Sequence, residues 1–185
     1  MAADMKNMIA EAAKRLLLEK KVKKLTVKDI VEECQITRQA FYYHFEDIPD
    51  MFQWVLERGT EQLMQEIRAQ GDYEAGLRYF FLVAANASPL IRRGMETNYS
   101  DEIERLLGQV IYRLFEQAVE SLNLYQNCSR YELKLVLRYH SQAVMGILRD
   151  WSDEDTEHMD EIVHSVYLLL TGGMAPQAEE KINGI

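Results

Sequence analysis

Apolar residues recur along this chain at intervals of three and four, and no stretch alternates in the manner of a half-buried strand. Met5, Met8, Ile9, Ala12, Ala13, Leu16 and Leu17 predict a first helix over residues 4–19. Thr26 is placed to cap a second helix, with Asp29 three residues on in a capping-box position. Val27, Ile30, Val31 and Cys34 form its buried face. Thr37 caps a short third helix, whose inward side is Ile36, Ala40 and Phe41. Pro49 suits the first turn of a fourth helix reaching Ala69 and ending at Gly71, with Glu46 and Asp47 as favourable N-terminal charges. Further helices are expected at about 73–87, 89–96, 100–122, 129–151 and 154–171. The tail from Gly172, with Gly173 and Pro176, reads as frayed. The fold class is all-α. The head spans residues 1–48 and the larger domain 49–185, with the fourth helix carrying the chain across in place of a flexible linker.

Composition sharpens this picture. The chain has 185 residues, 48% of them hydrophobic, enough for a substantial core. Its net charge of −9 excludes a uniform coat for nucleic acid, but that charge is unevenly spread. Residues 1–50 hold nine Lys/Arg and nine Asp/Glu, while the remainder supplies the whole excess of acid. A basic knot, Lys20-Lys21-Val22-Lys23-Lys24, precedes the second helix. Cys34 and Cys128 lack any CxxC spacing, which argues against a disulfide framework or structural zinc and for a reducing, cytoplasmic setting. No apolar run is long enough for a signal peptide or a membrane span, so no membrane partner is expected.

With Ala40 and Phe41 facing inward, the third helix leaves Thr37, Arg38, Gln39, Tyr42, Tyr43 and His44 outward or sideways. Two adjacent exposed tyrosines are costly unless their rings touch something. Gln39 can pair with adenine in the major groove, and Arg38 with guanine or a phosphate. Tyrosine hydroxyls and the histidine N–H suit phosphates. The same spacing also occurs in ordinary helical corners, so geometry alone leaves both readings open.

Thr26, Ile30, Ile36, Thr37, Phe41, Tyr42, Tyr43, His44 and Phe45 stand in one register, and residues 26–57 closely resemble the TetR/AcrR-type helix-turn-helix regulators. The resemblance implies an N-terminal three-helix head that binds double-stranded operator DNA and a C-terminal helical domain for ligand binding and dimerisation. Thr26 and Thr37 would contact phosphates; Arg38, Gln39 and Tyr42 would face bases; Tyr43 and His44 would grip the backbone. Two positions depart from the family pattern. Gln35 replaces the turn glycine, and Glu46-Asp47-Ile48-Pro49 replaces the usual lysine after Phe45. Lys28 and the basic knot are the expected compensation.

In the larger domain, Leu133, Val136, Leu137, His140, Val144, Ile147 and Leu148 line one helix, and Ile162, Val163, Val166, Leu169 and Leu170 another. The resemblance puts a homodimer seam through these last two helices; the plainer alternative is monomer core. It also implies an effector pocket among the middle helices, for which Tyr79, Met95, Tyr99, Tyr112, Phe115 and Tyr139 are the candidates. The segment from Leu137 to Trp151 is similar to regulators linked to dihydroxyacetone kinase, in which this domain meets a protein rather than a metabolite. No nucleophile motif, phosphate loop or dinucleotide fingerprint occurs, and His158 and His164 do not share a helix face. Neither catalysis, nor a metal, nor a cofactor is expected. The expectation is a homodimeric transcriptional regulator, acting by repression at a palindromic operator. The alternative is a helical protein-interaction module or co-activator that has lost or weakened DNA binding.

Overall fold

The computed structural model describes residues 2–69 and 71–172; the tail reading from Gly173 onward falls outside them. The described chain is helical throughout: α1 (Ala2–Leu18), α2 (Val27–Cys34), α3 (Arg38–His44), α4 (Ile48–Ala69), α5 (Tyr73–Met95), α6 (Ser100–Leu122), α7 (Arg130–Arg149), α8 (Asp153–Glu157) and α9 (Met159–Thr171). Among the described residues no helix is long and apolar enough to cross a membrane.

Two clusters of buried side chains organise these helices. The first joins Ile9, Ala12, Ala13 and Leu16 of α1 to Leu25, Ile30, Val31, Phe41, Phe45, Ile48 and Met51. The second is built around Phe80, Phe81, Ile111, Phe115, Leu137, Val144, Trp151, Val163 and Val166. The helix that crosses from one to the other is α4: Ile48 and Met51 lie in the first cluster, while Leu63 and Ile67 pack in the second. The first cluster therefore draws on side chains beyond residue 48. Phe52, Trp54 and Tyr99 also pack against it.

The larger domain layers α5 against α4, α6 and α9, and α6 against α7. Its caps follow from local sequence. Ser129 and Glu132 form a capping box at α7, as do Ser152 and Asp155 at α8. Two element boundaries differ from the expected ones. Residues 73–95 form one helix with Pro89 inside it. An interior proline forfeits a backbone hydrogen bond and costs about 3 kcal/mol, but α5 is packed against five other helices, α1, α4, α6, α7 and α9, and that burial offsets the loss. The expected helix over 154–171 is broken at His158, whose backbone (φ −101°, ψ 19°) ends α8 and starts α9. Gly172 closes α9 in the left-handed region (φ 76°) that glycine adopts without steric penalty.

Candidate nucleic-acid interface and central cavity

The turn between α2 and α3 is assembled by short-range hydrogen bonds. The Thr26 hydroxyl oxygen accepts the Asp29 amide (3.2 Å), and the Asp29 carboxylate accepts the Thr26 amide (3.1 Å) and hydroxyl (2.6 Å). At the other end Gln35 takes the left-handed conformation (φ 58°, ψ 40°) that the family pattern gives to glycine. The amide of Ile36 then donates to the carbonyl of Val31 (3.0 Å) and turns the chain into Thr37. The Thr37 hydroxyl accepts the Ala40 amide (3.1 Å), so α3 starts at Arg38.

From that start α3 separates two faces. Phe41 is fully buried and Phe45 nearly so. Tyr42 is 57% and Tyr43 83% exposed, and Arg38 and Gln39 are exposed as well. Tyr42 sets its ring edge against Phe41 (5.5 Å), and Tyr43 stacks perpendicular to the half-buried His44 (5.0 Å). Lys28 is exposed and lies 3.7 Å from Glu32 one turn along. The basic knot is split. Lys20, with Arg15, meets Glu33, and those two cations hold the Glu33 carboxyl below its usual range. Lys24 instead borders an open cleft of about 350 Å³ together with Thr26, Lys28, Arg38 and Tyr42.

The segment Glu46-Asp47-Ile48-Pro49 has a structural role in place of the family's lysine. Asp47 caps the Asp50 amide (2.8 Å), and Asp50 accepts the Glu46 amide (3.0 Å). Ile48 is 1% exposed and belongs to the core of the head.

The larger domain encloses a cavity of about 380 Å³ between α4, α5, α6, α7 and α9. Met64, Ile67, Phe80, Leu114, Phe115 and Leu170 give it apolar walls. One polar corner is Tyr125, whose hydroxyl donates to the Leu170 carbonyl (2.8 Å) and lies 3.3 Å from His140 Nε2, while Arg68 and Asp72 bring charge to another part of the lining. Of the six residues assigned to a pocket from sequence, Phe115 lines this cavity. Tyr79 and Tyr112 pack against the same core from outside the cavity, and Tyr112 borders a groove with Arg113 and Gln142. Met95 is half-buried near the end of α5, away from the cavity. Tyr139 is 69% exposed on α7. Tyr99 stacks on Phe52 against the head. Sequence reasoning passed over Tyr73, Tyr125 and Tyr167, which do line the cavity. Helical spacing identifies residues that share a face, and a void between faces leaves no mark in it.

Burial pushes the His140 imidazole below its ordinary 6.5. The ring is therefore neutral at pH 7, and the corner that it forms with Tyr125 is uncharged. As pH falls, the unfolded chain protonates this ring before the folded one does. Stability is thus fully present above pH 6.5 and is lost as pH drops from there towards the folded value. Thermal melts across this window should show His140→Gln with a shallower acid-side loss than the parent; equal slopes would assign the sensitivity to other groups.

Outward-facing apolar residues mark a further surface. Tyr131, Leu135 and Tyr139 repeat every four residues on α7, at 78%, 56% and 69% exposure, and Leu169 is half exposed on α9. A Cβ added at Gly146, farther along α7, would meet nothing within 4 Å. Leu137, Val144, Val163 and Val166, which sequence periodicity offered to a dimer seam, instead fill the core of the single chain.

Residues 9–55 match the family model described as bacterial regulatory proteins, tetR family. A curated relative, the HTH-type dhaKLM operon transcriptional activator DhaS of Lactococcus lactis, is 24% identical over 151 residues, covering 77% of this chain and 76% of that protein. Among solved structures, the dihydroxyacetone kinase operon activator DhaS superposes with a TM-score of 0.64 at 17% identity, over 91% of this chain and 95% of the other. The fatty acid degradation regulator FadR of Bacillus halodurans does so at 0.60 and 17%, over 91% and 99%. NalD, the secondary repressor of a multidrug efflux pump in Pseudomonas aeruginosa, gives 0.55 at 22%, over 89% and 96%. At these identities the structural likenesses speak to the fold alone.

Proposed function

We propose that this chain, a transcriptional regulator of the TetR type, binds a palindromic DNA operator as a homodimer and responds to a small molecule held in its central cavity. The observation that carries the DNA reading is α3 itself. Arg38, Gln39, Tyr42 and Tyr43 are displayed on a helix pinned from behind by Phe41 and Phe45. Arg38 and Gln39 have no hydrogen-bond partner among the described residues, so they are available to base edges and phosphates. Thr26, Lys28 and Thr37 ahead of that helix and His44 in its last turn supply backbone contacts.

Selection of duplexes from a random library, followed by titration at two salt concentrations, tests this. Binding that falls steeply with salt and prefers one sequence supports it. Failure to enrich any duplex favours the interaction-module reading instead. With an enriched duplex in hand, Gln39→Ala is expected to relax preference at one base position by about 1–3 kcal/mol, whereas Lys28→Ala weakens all sequences alike. Equal preference in Gln39→Ala and parent would remove Gln39 from the reading face.

A reading helix spans only a few base pairs, and a two-fold dimer presents two of them about 34 Å apart. The exposed stripe on α7 and Leu169 on α9 support a dimer seam on the outer faces of those helices. The cavity has the volume and apolar lining of a small-molecule site. Its apolar walls and the uncharged Tyr125–His140 corner favour a largely apolar effector with a hydrogen-bonding end.

Repression is the proposed mode, with the effector releasing the operator. Activation is a second reading, favoured by the description of the curated relative as an activator. A reporter placed behind the selected operator separates the two: deleting the regulator raises expression under repression and lowers it under activation.

A further inference from the structure

The turn joining α5 to α6 lies far from the helix-turn-helix in sequence and yet is built against it. Asn98 Oδ1 accepts the backbone N–H of Leu25 (3.0 Å), the residue immediately before the α2 cap. Tyr99 stacks edge-on against Phe52 (5.8 Å, 77°) and packs on the head's core. The turn itself is tightly folded. The Thr97 hydroxyl donates to the Gly94 carbonyl (2.6 Å) and accepts the Tyr99 amide (3.2 Å). A Cβ on Gly94 would come within 2.7 Å of Ile103 Cδ1. This geometry places Asn98 and Tyr99 as one wall of the 350 Å³ cleft that Lys24, Lys28 and Arg38 border from the head. Three cations converge there. Lys24 and Arg38 have no partner among the described residues, and Lys28 has only Glu32 at 3.7 Å. Burial, outweighing the opposing hydrogen bond from Asn98, pushes the Tyr99 phenol up, so its hydroxyl remains a donor. The nearby Asp47 acts in the same direction, and its carboxylate is engaged in capping Asp50.

The geometry points to a seat for one backbone phosphate of the operator in this cleft, with Lys24 and Arg38 as its charges and Asn98 as the positioning residue that holds the Leu25–Thr26 backbone against it. This inference rests on the DNA reading above and extends the interface to a turn of the larger domain.

Asn98→Asp tests it most directly. Aspartate is nearly isosteric and keeps an acceptor for the Leu25 amide, but it brings a negative charge to the phosphate. We expect an unchanged melting temperature and at least a tenfold loss of affinity, at low salt, for the duplex that the parent protein selects. Lys24→Ala, an exposed change, should lower the slope of log affinity against log salt by about one. Binding by Asn98→Asp within twofold of the parent, or an unaltered slope in Lys24→Ala, overturns the phosphate seat. If the parent selects no duplex at all, it is the DNA reading that fails.

Discussion

Replacement of Phe41 by alanine is expected to destabilise the N-terminal head by about 3–5 kcal/mol and to abolish operator binding along with it. Phe41 has no exposed surface, and its ring lies 5.9 Å from Phe45 and 5.5 Å from Tyr42. It is the residue by which α3, only seven residues long, is fastened to α1 and α2. So short a helix has little stability of its own, and without this anchor Arg38 and Gln39 lose their shared orientation. Amide exchange should report the damage in α2 and α3, with the larger domain's core much less affected, because Phe81 and its neighbours form a separate cluster. Sequence-specific binding surviving in Phe41→Ala would show that some other element presents the reading face.

A comparably large effect is expected in the larger domain, from the double substitution Leu135→Asp and Tyr139→Asp on α7. Fully burying such a side chain is worth about 1.5–3 kcal/mol, and these two have somewhat over half of their surface left to bury; with a two-fold axis counting each position twice, about 4 kcal/mol or more of association is removed. Sedimentation should then show the mass of a single chain, and operator affinity should fall by orders of magnitude although no DNA-facing residue has changed. Both side chains are more than half exposed on their own chain, where Tyr139 sets its ring against the neighbouring His140, so the melting temperature at low protein concentration should change little. A dimer persisting in this variant would shift the seam to another face.

How far these features could be read from sequence depended on the range of the interactions that make them. Thr26 with Asp29, and Thr37 with the Ala40 amide, bond across three residues, so both helix starts were legible in the letters. The strained turn was legible too: Gln35 takes the positive φ that its register required. Ile48 was read as a missing lysine, and the structure gives the isoleucine its own reason, a buried place beside Met51. Pro89 was expected to separate two helices, but local propensity yields where packing extends along both sides of the break. The cavity was the least legible feature. Its walls come from five helices, and only Phe115 of the six proposed residues faces inward. The bond from Leu25 to Asn98 spans 73 residues and has no local signature at all.

The course of α4 has a practical corollary for anyone recombining such proteins. A chimaera spliced after residue 48 would hand the recipient a head whose Phe41 and Phe45 had lost Met51, Phe52 and Trp54 as neighbours. The natural cut lies beyond residue 55, past the first two turns of α4, and even there the transplanted head leaves behind the Tyr99 ring that covers Phe52. The graft should therefore carry a matching α5–α6 turn, making the portable unit two segments of chain rather than one.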